Sequence, residues 1–111
     1  MSKHQPPTME QVTSDIVEEI DPKSIILFGS RARDDHREDS DLDILVIQDR
    51  PFPAGGGRRK QMAQVWRRLA HYPLSIDLLV YTPAEIERCK GRRSHVVSRT
   101  LREGRILYER S

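Results

Sequence analysis

The chain has 111 residues, of which 36% are hydrophobic, 5% aromatic and 32% charged, with a net charge of +2. That length fits one domain, 1–111, and so small an apolar fraction leaves a thin core, which makes a partner chain an early expectation. Its longest apolar runs are far too short to cross a membrane, Lys3 has no apolar segment behind it to act as a secretory signal, and the single cysteine, Cys89, can form no internal disulfide, so a reduced cytoplasmic setting is the expected one.

In chain order, residues 1–7 carry two prolines and no pattern, and are expected to be disordered. Thr8 with Gln11 has the spacing of a capping box, and Val12, Ile16, Val17 and Ile20 follow at helical intervals until Asp21-Pro22. Ser24 to Phe28 reads as a buried strand stopped by Gly29. Residues 30–35 could open a short helix. A second strand runs from Asp41 to Ile47, with Asp41, Asp43 and Leu45 on one face and Leu42, Ile44 and Val46 on the other.

Residues 49–57, with three consecutive glycines, are expected to form a mobile loop. Met62, Val65, Trp66 and Leu69 mark the core-facing stripe of a helix that stops near Tyr72-Pro73. Leu74 to Tyr81 is a third strand. Thr82-Pro83-Ala84-Glu85 then supplies a cap, a first-turn proline and a capping-box acid. Helical turns over Ser94 to Arg102 end at Gly104, before a short apolar segment, Ile106-Leu107-Tyr108. This order predicts an α/β (α+β) domain with a small mixed sheet flanked by helices.

Charge is segregated along the chain. Residues 34–49 hold seven acids against Arg37, residues 58–68 hold five bases and no acid, and residues 88–110 hold eight bases against Glu103 and Glu109. The basic stretches suit a solvated face first, and a phosphate-bearing ligand or acidic partner second. Few aromatics are interleaved with the bases, which argues against nucleic acid.

The chemistry concentrates between Gly29 and Asp43. Asp41 and Asp43, two apart on a strand, point the same way and repel unless a cation lies between them. Burying both in an otherwise apolar strand is costly, and a hard divalent ion, Mg²⁺ foremost, would remove that cost. Asp77 is a further isolated acid in the apolar third strand, and if the second and third strands are neighbours three carboxylates converge, as a two-metal phosphoryl-transfer site requires. Gly29 lets the backbone approach a ligand, Ser30 and the amides after it suit a phosphate, and Arg31 and Arg33 could neutralise the remaining phosphate charge. His4, His36, His71 and His95 are scattered, and neither a P-loop nor an EF-hand fits.

Gly29-Ser30, ten residues, then Asp41-Leu42-Asp43 is similar to the signature of the DNA polymerase β-like nucleotidyltransferases. The chain most resembles the minimal nucleotidyltransferases, the MNT antitoxins paired with HEPN-type toxins, over nearly its whole length. Asp34 departs from the glycine that many relatives carry after Arg-Ala-Arg. The resemblance implies a nucleotidyltransferase fold in which Gly29 and Ser30 hold the triphosphate of ATP. Asp41 and Asp43 would ligate two Mg²⁺ ions, and Asp77 would ligate one and assist deprotonation of the acceptor. It further implies transfer of AMP to a protein hydroxyl, a tyrosine of a HEPN-type toxin, which the chain would silence as an antitoxin. The alternative is a non-catalytic antitoxin or regulatory subunit that neutralises its partner by binding alone.

Overall fold

Thr8 caps the first helix as the sequence predicts: its Oγ1 accepts from the Gln11 amide at 3.0 Å, and its own amide donates to Gln11 Oε1 at 2.9 Å. This capping box satisfies two amides that a helix start leaves without partners, and it opens α1 (Met9–Ile20). The helix closes at Asp21, in the left-handed region with φ 45°, whose amide returns to the Val17 carbonyl at 2.9 Å before Pro22 forbids another turn. The computed structural model describes residues 8–29, 41–52, 54–73, 75–89 and 96–110. The expected short helix at 30–35 and the expected disorder at 1–7 lie outside them.

The sheet has four strands in the order β3-β2-β1-β4: β1 (Ser24–Phe28), β2 (Leu42–Ile47), β3 (Ile76–Tyr81) and β4 (Arg105–Glu109). β1 runs antiparallel to β2 and to β4, whereas β2 and β3 are parallel. A parallel pair needs a crossover, and α2 (Gly57–Leu69) supplies it. α3 (Pro83–Cys89) and α4 (Val96–Glu103) follow β3. Thr82 and Glu85 form the second capping box, with Glu85 Oε1 accepting from the Thr82 amide at 2.8 Å.

The two sheet faces divide the core. Ile25, Leu27, Leu42, Ile44, Val46, Ile76, Leu78 and Val80 pack with Val12, Ile16 and Ile20 of α1 and Val65 and Leu69 of α2. The opposite face carries a smaller cluster, Ile26, Leu45 and Ile47 with Ile86 of α3, flanked by Phe28, Leu79 and Tyr81. The alternation of β2 therefore puts Asp43 on the side away from α1 and α2.

The structure differs from the sequence expectations in three places. Ile106-Leu107-Tyr108 belongs to a fourth strand, paired with β1, which the sequence left as an unassigned apolar segment. Only one side of that strand meets the core, and its ends are charged, so its pattern is weak by itself. Trp66 is not core: it stands 41% exposed, and Gln61 takes the inward position with Val65 and Leu69. The third correction is one of bounds, since Gly57 starts α2 rather than ending the loop.

Side chains lock α1 to α2 and to the turn that follows it. Tyr72 donates its hydroxyl to Asp15 Oδ2 at 2.5 Å, and Arg68 bridges Asp15 and Glu18. The hydrogen bond to Asp15, together with burial, pushes the Tyr72 phenol up to about 12. A raised phenol pKa favours the neutral form in the fold. Its stabilisation is whole below the unfolded value near 10 and is lost as pH rises through about 12. Tyr72→Phe is expected to lower stability by about 1 kcal/mol at pH 7, read from urea unfolding, and to flatten the alkaline arm of the profile.

Gly104 turns the chain from α4 into β4 against β1. A Cβ there would lie 2.5 Å from the Thr100 carbonyl oxygen, 2.6 Å from Ile26 Cγ2 and 3.0 Å from the Leu27 carbonyl oxygen. Two of those neighbours are backbone and cannot rotate away. Gly104→Ala is expected to cost about 1–3 kcal/mol, visible as a lower urea midpoint.

Candidate active site

Because β2 and β3 are parallel neighbours, the register sets Asp43 directly beside Asp77. Adjacent strands lie about 4.8 Å apart, so two like charges stand side by side on one face. The second and third strands are thus neighbours, the arrangement in which the acids of both strands converge. Asp43 is half-buried and Asp77 exposed, and Asp41 sits exposed one residue before β2.

Electrostatics at Asp43 reflect that crowding. Burial raises its carboxyl above the usual 3.8. The charge of Asp77, hydrogen bonding with Asp77 and the charge of Asp41 push in the same direction. Such a carboxyl holds its negative charge at a cost, which a nearby cation would remove.

The end of β1 completes this corner. Its antiparallel pairing places Phe28 opposite Asp43, and Gly29 follows with φ +78°, a conformation L side chains rarely adopt. A Cβ on Gly29 would overlap the Asp43 carboxylate and approach its Cγ to 3.1 Å. The glycine is thus required twice over, by its backbone angle and by the carboxylate that leans across it. Phe28 shares the face of Asp43, a neighbour that strand alternation from Ile26 could have placed and that the motif alone does not single out.

Of the predicted site residues, Gly29, Asp43 and Asp77 come together at one end of the sheet, with Asp41 beside them along the chain. Ser30, Arg31 and Arg33 lie outside the described residues. Among the described residues, no group of three or more His, Cys, Asp or Glu side chains is gathered closely enough to hold a metal ion. The donors present are nonetheless of the kind a hard divalent cation takes: carboxylate oxygens, crowded and short of compensating charge. No helix among the described residues is long and apolar enough to cross a membrane.

Comparison with known proteins shows the family and the fold. The nucleotidyltransferase domain family matches residues 10–108. A Methanocaldococcus jannaschii protein, MJ0604, named as a candidate protein adenylyltransferase, is 60% identical over 86 residues, 78% of each chain. Among solved structures, a candidate nucleotidyltransferase from Sulfolobus solfataricus superposes with a TM-score of 0.57 at 24% identity, covering 92% of this chain and 81% of the other. A toxin-antitoxin structure with AMP-PNP gives a TM-score of 0.55 at 20% identity over 92% of this chain and 74% of its own. At those identities the two structures speak for the fold.

Proposed function

The chain belongs to the nucleotidyltransferase domain family, and from that premise we propose that it transfers AMP from ATP to a protein hydroxyl, acting as the antitoxin of a HEPN-type toxin whose tyrosine is the acceptor. The observation that carries this reading is the register that sets Asp43 beside Asp77 where Gly29 ends β1. A protein acceptor is supported by the name of the MJ0604 relative, and the antitoxin role by the toxin-antitoxin structure of similar fold.

Asp41, Asp43 and Asp77 would hold Mg²⁺, which when bound supplies positive charge to the triphosphate and to the oxygens of the transfer. Two ions are the number this reading assigns. Asp77, exposed beside Asp43, takes the proton of the acceptor hydroxyl. The freed oxygen forms its bond to the α-phosphorus of ATP as the bond from that phosphorus to the bridging oxygen breaks, and pyrophosphate leaves. Gly29 keeps the end of β1 free of side-chain atoms, so that Asp43 reaches its place. Ser30, Arg31 and Arg33 hold the phosphates in this reading.

The test is incubation with ATP labelled at the α-phosphate, Mg²⁺ and the HEPN-type partner. Label is expected on the partner and is lost on chelation. Absence of label, or equal labelling by Asp43→Asn/Asp77→Asn, contradicts the transferase. Full neutralisation of the partner by that double variant would instead establish an antitoxin that works by contact alone.

A further inference from the structure

α2 contains no acid, and its five bases meet different fates. Arg58 is held by Glu85 through two contacts of 2.8 and 2.7 Å and lies 5.0 Å from the Phe52 ring centre. Arg68 is held by Asp15, Glu18 and Glu19 of α1. Arg59, Lys60 and Arg67 are exposed, and no carboxylate among the described residues lies within ion-pair distance of them. Beside these free cations Trp66 is 41% exposed, and with Arg58, Arg59, Met62 and Ala63 it lines an open groove of about 540 Å³.

We propose that this outward face of α2 is a docking surface for an acidic amphipathic helix of a partner protein. The half-exposed Trp66 beside Met62 and Ala63 offers a seat for an apolar anchor, and the exposed Arg59, Lys60 and Arg67 on the same helix complement carboxylates flanking that anchor. Arg59 and Arg67 stand about 12 Å apart along the helix axis, the reach of two turns of a partner helix lying alongside. A nucleic acid would bring phosphates but no apolar side chain, and it favours several stacking aromatics over one.

The surface lies apart from the carboxylates. Val65 and Leu69 of α2 pack into the cluster built from Leu42, Ile44, Ile76 and Leu78, which alternate along their strands with Asp43 and Asp77. Docking on α2 therefore leaves the acidic face open, and the inference stands whether or not nucleotide transfer occurs there.

Trp66 is the sole tryptophan of the chain, so its emission reports the contact directly. The full chain is titrated with a synthetic helical peptide in which Leu and Ile recur at i, i+3, i+4 and i+7 among Glu and Asp, with a scrambled peptide of equal composition, and with poly(U) RNA. The patterned peptide is expected to shift emission to the blue and to shield Trp66 from acrylamide. Arg59→Glu/Arg67→Glu, at exposed positions and checked for an unchanged circular dichroism spectrum, is expected to weaken that binding at least about tenfold. No shift with the patterned peptide, an equal response to the scrambled peptide, or a stronger response to RNA overturns the proposal. AMP transfer is not part of the readout, so any of these results leaves the transferase reading untouched.

Discussion

Asp43→Asn is expected to lower nucleotidyl transfer on the order of 10³-fold or more while making the metal-free protein more stable at pH 7. Both effects come from one carboxyl. In the proposed reaction it supplies charge where cation and triphosphate meet, and asparagine keeps the shape but not the charge. In the metal-free fold that same charge is disfavoured by burial, by Asp77 and by Asp41. The sign follows from its raised pKa: the contribution of Asp43 to stability is full below the unfolded value near 3.9 and is lost as pH rises through the higher folded value. At pH 7 the wild type therefore carries a penalty that the variant lacks. Thermal melts should show the variant higher at neutral pH, with the gap closing toward pH 4. Added Mg²⁺ should close the gap as well, by raising the wild type. A variant less stable than wild type at pH 7 without metal would contradict the crowding at Asp43.

Gly29→Ala should damage both stability and transfer. Alanine at φ +78° and a Cβ overlapping the Asp43 carboxylate are together expected to cost about 1–3 kcal/mol in urea unfolding. The displaced carboxylate should lower transfer about 10²-fold. The two causes are separable. Asparagine tolerates the left-handed region better than alanine, so Gly29→Asn should recover part of the backbone cost but not the activity. In an Asp43→Ala background the overlap disappears, and Gly29→Ala should cost visibly less stability than in the wild type. An equal cost in both backgrounds would mean that Asp43 does not lean over Gly29.

Local signals were the readable ones. Thr8 with Gln11, and Thr82 with Glu85, fix two helix starts through contacts three residues apart, so the sequence shows them directly. The alternation in Leu42-Asp43-Ile44 sets the acid on the face opposite Leu42 and Ile44, and in the fold those two join the larger core cluster while Asp43 shares its face with the smaller one. Gly29 could be read as a strand stop, but the reason it admits no side chain is Asp43, fourteen residues on, which only the β1–β2 pairing brings near. The meeting of Asp77 with Asp43 likewise depends on the parallel register, which no local pattern contains.

What stayed illegible was settled by distant packing. β4 exists as a strand because β1 offers it a free edge, and its own five residues show no strong alternation. On α2 the hydrophobic spacing pointed Trp66 inward, yet the helix is turned so that Gln61, Val65 and Leu69 face the sheet. That rotation leaves Trp66 exposed beside Arg59 and Arg67, an arrangement the apolar pattern alone does not show.

In the proposed reaction the paired carboxylates of β2 and β3 move AMP onto a partner protein. The measurement that decides it is the intact mass of the proposed HEPN-type partner after co-expression with this chain. The partner is expected to be heavier by whole AMP units with the wild type and unmodified with Asp43→Asn/Asp77→Asn. A partner of unaltered mass that the wild type nevertheless neutralises would contradict it.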